Sequence, residues 1–209
     1  MSVEFRTLVA GPLETNCYLV WDAETLEAAL IDPDGGMERI AGVVSSLGLK
    51  VKYVLLTHGH PDHCFLAGRA ARDFSAEIGM HAGDIEQIEQ GLALAEMFYD
   101  VSSFVPFAPS MLLTDGDVLH IGESAIEVIH TPGHSQGGLC FVTDVGVFCG
   151  DTIFAGSIGR TDFPGGSYEQ LMSSIRTKLL GMKDGTPLYP GHGSATTVGK
   201  ERATNPFLV

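Results

Sequence analysis

The run Val51–Leu56 is almost continuously apolar and of strand length, and Thr57-His58-Gly59-His60-Pro61-Asp62-His63 follows it directly. Such a run reads as a central strand buried on both faces. Four metal-ligand residues packed just past its carboxyl end then narrow the fold to an α/β type, where sites collect on loops at the carboxyl ends of sheet strands. A lone histidine is usually a packed or surface residue. His81, His120 and His130 are read that way, because none lies in a ligand-dense segment. His58, His60, Asp62 and His63 are not, since imidazole and carboxylate together are donors that zinc, iron and manganese accept.

Three further segments repeat the placement. Thr131-Pro132-Gly133-His134 follows the strand-like Ala125–Ile129, Gly150-Asp151 follows Gly146–Phe148, and Pro190-Gly191-His192-Gly193 follows Pro187–Tyr189. Each carries one ligand-type residue beside a glycine, which allows the backbone a close approach that a Cβ would obstruct. Any one of them alone is weak; four segments sharing one pattern are a site.

The rest of the chain fits two similar halves. Val3–Val9, Cys17–Trp21 and Ala28–Ile31 read as a meander of strands, and the Met37, Ile40, Val43, Val44 and Leu47 stripe predicts a helix over Met37–Leu47 ended by Gly48. His63–Phe74 suits a helix, Glu77–Met80 a strand, and Asp84–Met97 a helix broken up by Gly91. Asp100–Leu113, with Pro106 and Pro109 among aromatic residues, reads as an apolar loop or lid. Leu139–Val142 is a further strand, and Ser167–Leu180 a helix opened by a Ser167/Gln170 capping box. Strands then helix, twice, predict an α/β (α+β) four-layer αββα sandwich, with no linker to divide residues 1–209 into more than one domain.

Twelve Lys and Arg against 26 Asp and Glu leave a formal charge of -14, which disfavours a phosphate backbone and excludes nucleic acid as the expected partner. No stretch is long and apolar enough for a membrane span, and Glu4 and Arg6 stand where a signal peptide needs its apolar core, so the chain reads as cytoplasmic. Cys17, Cys64, Cys140 and Cys149 lack CxxC spacing and read as reduced core residues; Cys64, beside His63, is placed to line the site without being a ligand.

Thr57–His63 has the THxHxDH form of the metallo-β-lactamase fold hydrolases, and His134, Asp151 and His192 fall in that family's order. Within it, Gly156–Gly166 (GSIGRTDFPGG) and Glu201–Phe207 (ERATNPF) resemble the bacterial glyoxalase II-related, hydroxyacylglutathione hydrolase-like proteins. The resemblance implies the metallo-β-lactamase fold and two divalent metal ions, with zinc favoured and iron or manganese compatible. It implies His58, His60 and His134 on one ion, Asp62, His63 and His192 on the other, and Asp151 bridging. It also implies hydrolysis of a small-molecule acyl thioester by metal-activated water, with Asp62 orienting that water and able to take its proton. Asp32 is expected as a hydrogen-bond acceptor behind the Thr57–His63 loop, the other reading being a strand-ending residue that caps the following helix.

The chain departs from glyoxalase II proper in its substrate end. The basic residue and tyrosine that touch glutathione there align with Arg160 and Asp162, and a second tyrosine aligns with Ser194. Arg160 is expected either to bind a substrate carboxylate or to pair with Asp162. No C-terminal helical glutathione-binding domain is expected, because 17 residues follow His192. The rival reading is a persulfide dioxygenase of the same fold, holding one iron on His58, His134 and Asp151; Gly59 and Pro61 stand where that branch is expected to carry cysteine and alanine. Oligomeric state is left open.

Overall fold

The computed structural model describes residues 2–209, the side chains of residues 93 and 94 excepted. The first half runs β1 (Val3–Ala10), β2 (Thr15–Asp22), β3 (Glu27–Ile31), α1 (Met37–Leu47), β4 (Lys50–Leu55), α2 (Pro61–Cys64), α3 (Ala67–Phe74), β5 (Glu77–Met80), α4 (Ile85–Ala95) and β6 (Met111–Leu112). Its six strands form one sheet in sequence order, antiparallel from β1 to β3 and parallel from β3 to β6. The second half runs β7 (Val118–Ile121), β8 (Ser124–His130), β9 (Leu139–Thr143), β10 (Gly146–Gly150), β11 (Ile153–Phe154), β12 (Ser157–Ile158), α5 (Tyr168–Ser174), β13 (Pro187–Pro190), β14 (Thr196–Thr197) and α6 (Val198–Thr204). Here the sheet order is β14-β13-β10-β9-β8-β7, with β10 and β13 parallel; β11 and β12 form a separate hairpin.

Three apolar layers hold these elements as an αββα sandwich. Alternate residues of β4 point opposite ways: Tyr53 and Leu55 meet Ile126, Val128, Phe141 and Phe148 between the sheets, whereas Val54 packs towards α1, α3 and α4 with Ile40, Ala70 and Ile88. The outer face of the second sheet packs Val147 and Cys149 against Leu171 of α5 and Val198 of α6. That two-sided burial is why Val51–Leu56 lacks the polar alternation of a half-exposed strand. Burying each such side chain contributes about 1.5–3 kcal/mol.

Most expected elements lie within one or two residues of their observed bounds; the exceptions have physical causes. The helix expected over His63–Phe74 is two, α2 and α3, because Leu66 donates its N–H to the Pro33 carbonyl instead of continuing the first helix. Gly91 does not break α4: it gives the helix room to pass Pro61, whose Cγ would lie 2.9 Å from a Cβ there. The expected Asp100–Leu113 lid is anchored, with Phe104 and Phe107 packed on the first core layer and Met111–Leu112 paired with β5. The helix expected over Ser167–Leu180 begins as foreseen, with the Ser167 hydroxyl accepting from the Gln170 N–H, then widens into π-helical turns over Ile175–Leu179. No helix among the described residues is long and apolar enough to cross a membrane.

Candidate metal centre

Four strand ends deliver the seven ligand-type side chains to one place. His58 and His60 follow β4, with Asp62 and His63 on α2; His134 follows β8, Asp151 follows β10 and His192 follows β13. Three groups of donor atoms converge within 4.8 Å: His58, His60 and His134; His58, His63 and Asp151; and Asp62, His63 and His192. His134 Nε2 lies 2.9 Å from His60 Nδ1 and 3.2 Å from His58 Nε2. At the other end His192 Nε2 is 3.1 Å from Asp62 Oδ2. Asp151 stands between, with one oxygen 3.4 Å from His63 Nε2 and the other 3.6 Å from His134 Nε2 and 3.7 Å from His192 Nε2.

The hydrogen bonds of the outward ring nitrogens fix which nitrogens face the centre. His134 Nδ1 donates to the Arg160 carbonyl at 2.8 Å and His192 Nδ1 to the Leu13 carbonyl at 3.1 Å. Asp32 supports two rings: its Oδ2 accepts from His63 Nδ1 at 2.8 Å and from the Thr57 hydroxyl at 2.6 Å, which leaves that hydroxyl to accept from His58 Nδ1 at 3.0 Å. Asp32 Oδ1 also takes the Thr57 N–H. His60 Nε2 lies 3.2 Å from the Gln87 amide nitrogen while the buried Gln87 Oε1 has no partner, so turning that amide over supplies the acceptor His60 needs. In each ring the outer nitrogen is then spoken for and the inner nitrogen faces the centre, the arrangement that orients metal-ligating histidines.

Two buried polar atoms in this group, His63 Nε2 and Asp151 Oδ1, have no hydrogen-bond partner. Unpartnered polar atoms in a protein interior are costly, and here both point at the shared space where a cation would satisfy them. Gly191 keeps that space open, since a methyl group there would overlap Asp151 Oδ1 and His63 Cε1. The residues therefore fit a metal centre. Electrostatics divides it into two ends: burial, helped by the neighbouring imidazoles, pushes His58 far below its ordinary value and His60 down to about 3. At the other end burial opposes charge on His63, yet Asp151, Asp62 and Asp32 outweigh it and lift the ring to about 10. One end thus offers neutral nitrogen donors, the other a spot where carboxylates favour positive charge.

Sequence reasoning missed the residues that brace the loops. Asp84, almost wholly buried, accepts from the Gly59 N–H at 3.0 Å, the Ser135 hydroxyl at 2.6 Å and the Gly137 N–H at 2.6 Å, tying the His58/His60 loop to the His134 loop. Asn16 on β2 donates to the Pro190 and Gly193 carbonyls and braces the loop of His192. Glu201 and Asn205, in the ERATNPF segment, hold the β11–β12 turn ahead of Arg160 by bonds to the Gly156 N–H and the Ser157 carbonyl. Arg160 itself donates two 2.7 Å bonds to Asp162 and stacks 3.7 Å above Phe163. Cys64 is buried with its thiol 3.7 Å from the Gly59 carbonyl, and burial keeps it protonated. His81 and His130 stack on each other at 4.2 Å, away from the donor groups.

A cleft of about 650 Å3 opens onto the donor atoms, reaching from His60, Asp62, His134, Asp151 and His192 out to Met97 and Phe98. A family model described as the metallo-beta-lactamase superfamily matches residues 10–192. The hydroxyacylglutathione hydrolase GloC of Haemophilus influenzae is 40% identical over 100% of this chain and 98% of its own length. Among solved structures, TTHA1623 in a di-iron-bound form matches with TM-score 0.85 and 33% identity, over 97% of this chain and 100% of that one. ETHE1 from Myxococcus xanthus matches with TM-score 0.83 and 27% identity, over 97% and 83%.

Proposed function

The chain belongs to the metallo-β-lactamase superfamily, and within it we propose a dinuclear metal-dependent hydrolase of small acyl thioesters, of the hydroxyacylglutathione hydrolase kind. The observation that carries this reading is the pair of adjoining donor groups at the base of one cleft, His58–His60–His134 and Asp62–His63–His192, with Asp151 reaching both. Seven donors exceed what one ion needs. The similarity to GloC supports the thioester class, and the di-iron form of TTHA1623 supports two ions. Zinc is the metal proposed, with iron or manganese acceptable to the same nitrogen and oxygen donors.

When bound, the ions supply Lewis acidity for an acyl oxygen and bring the pKa of water towards about 7. The chain's own residues do the rest. Asp62 keeps its carboxylate ionised, because the charges of His63 and His192 outweigh the burial that favours protonation, and its proposed role is to orient the attacking water as a hydrogen-bond acceptor. Asp32 holds the His63 ring, and through the Thr57 hydroxyl the His58 ring, to one tautomer. Cys64, buried and protonated, takes no part as nucleophile. Arg160 lines the mouth and is the candidate substrate contact.

Elemental analysis of purified protein, hydrolysis of S-lactoylglutathione and oxygen consumption with a persulfide test this directly. Two ions per chain with thioester hydrolysis is the expected result. One iron per chain with persulfide-dependent oxygen uptake and no hydrolysis overturns it in favour of the dioxygenase reading on His58, His134 and Asp151.

A further inference from the structure

The wall of the cleft away from the donor groups is apolar and built to stay so. After α4, Tyr99 is pinned: its ring stacks 4.4 Å from Phe65 and its hydroxyl donates to Asp34 Oδ2 at 2.9 Å. The Phe98 and Tyr99 N–H groups both bond the Ala95 carbonyl, closing a tight turn. Held this way, Met97 and Phe98 project into solvent at 75% and 52% exposure, and Leu13 faces the same cleft at 40%. Large apolar side chains held in water beside a reaction centre are at a disadvantage until something apolar covers them.

Charge points the same way. Among the described residues lining the cleft, Arg160 is the one permanent cation, and Asp162 occupies two of its N–H groups while Phe163 covers its face. A glutathione arm brings two carboxylates and an ammonium to a chain of formal charge -14, with little here to receive them. We infer that the substrate carries an uncharged, apolar chain of several carbons, bound along Met97, Phe98, Leu13 and Phe163. This rests on the thioester reading above. The chain is supplied by the acyl or the thiol half of the substrate; in both cases the contact chemistry is the same. The volume of about 650 Å3 lies in the range of sites that enclose a ligand of that size.

The experiment uses metal-loaded protein and two matched series. In one, acetyl, butanoyl, hexanoyl and octanoyl groups are carried on N-acetylcysteamine; in the other, acetyl is carried on ethyl to octyl thiols. A fully buried methylene is worth about fourfold in binding, so kcat/KM is expected to rise at least about tenfold from four to eight carbons in one series, which identifies the half that binds. The double variant Met97→Ser, Phe98→Ser, altered at exposed positions, should flatten that rise. Calorimetry with S-butyl and S-octyl N-acetylcysteamine, thioethers that cannot be hydrolysed, should show the same dependence in binding alone. Flat dependence in both series and in the thioethers overturns the inference, as does faster turnover of acetylglutathione than of both the octanoyl and the octyl thioester. Absence of hydrolysis throughout overturns the thioester reading instead, and the thioether titrations still decide the apolar arm.

Discussion

Asp84→Asn tests whether the site is held by bonds between its loops as much as by the ligands. The carboxylate accepts three hydrogen bonds at 2.6–3.0 Å in a position 1% exposed to solvent. An asparagine keeps one oxygen but turns an NH2 towards groups that are themselves donors, Gly59 N–H and Ser135 Oγ–H on one side or Gly137 N–H on the other. Leaving one or two buried donors unsatisfied costs about 1–3 kcal/mol each, so Asp84→Asn should lower unfolding free energy by about 2–4 kcal/mol. Ser135→Ala removes one of the three bonds and should cost about 1–2 kcal/mol; the two changes share a partner, and the double variant should lose less than their sum. Loops released in this way no longer present His58, His60 and His134 to one point. Chelator competition should therefore show about a 10–100-fold loss of affinity for one ion, while the ion on the Asp62 side is retained more tightly. Equilibrium denaturation and metal titration read the two effects separately. If stability falls as expected while both metal affinities stay within twofold of the parent, Asp84 is a packing clamp and the positioning argument is wrong.

Gly191→Ala places a methyl group against Asp151 Oδ1 and His63 Cε1; elemental analysis should show metal lost from a protein that circular dichroism finds folded. Asp34 is wholly buried, and burial lifts its carboxyl from 3.8 to about 7 even though the Tyr99 hydroxyl bond opposes the rise. Folding therefore takes up a proton between those pH values, and stability falls as pH rises through 7; Asp34→Asn should raise the unfolding free energy of the metal-free chain at pH 8, by at most on the order of 4 kcal/mol, with the gain gone below pH 4. Asp62→Asn should lower kcat by roughly a hundredfold or more, whereas Cys64→Ala should retain most activity; loss of turnover in Cys64→Ala at full metal content would point to a thiolate nucleophile.

The ligands were legible and their supports were not, and the difference is one of range. His58, His60, Asp62 and His63 share six residues behind an apolar run, and His134, Asp151 and His192 each follow a strand, so local pattern suffices to find them. Asp84 sits at the start of an amphipathic helix, where an acidic residue is unremarkable, and its partners lie 25 to 53 residues away. Gln87 and Asn16 carry no local mark either; each acts through a contact that only the docking of α4 or β2 creates. Among the elements, β7 escaped notice because alternation in Val118–Ile121 is blurred by exposed Val118 and His120, and α6 because its anchoring group is the buried Glu201, not an apolar stripe.

Glu201 nonetheless shows how a motif can be recognised before its reason is known. Its carboxylate takes the Gly156 N–H at 2.8 Å and the Asn205 amide at 2.9 Å, and Asn205 in turn donates to the Ser157 carbonyl. These bonds fix the β11–β12 turn, and the strand leaving it runs directly to Arg160, whose carbonyl holds the His134 ring. The ERATNPF and GSIGRTDFPGG segments are therefore two halves of one device, far apart in the chain and joined at a turn. The device sets a histidine ring and the mouth of the cleft together, so a change that loosens Glu201 should be felt at His134 before it is felt in the core.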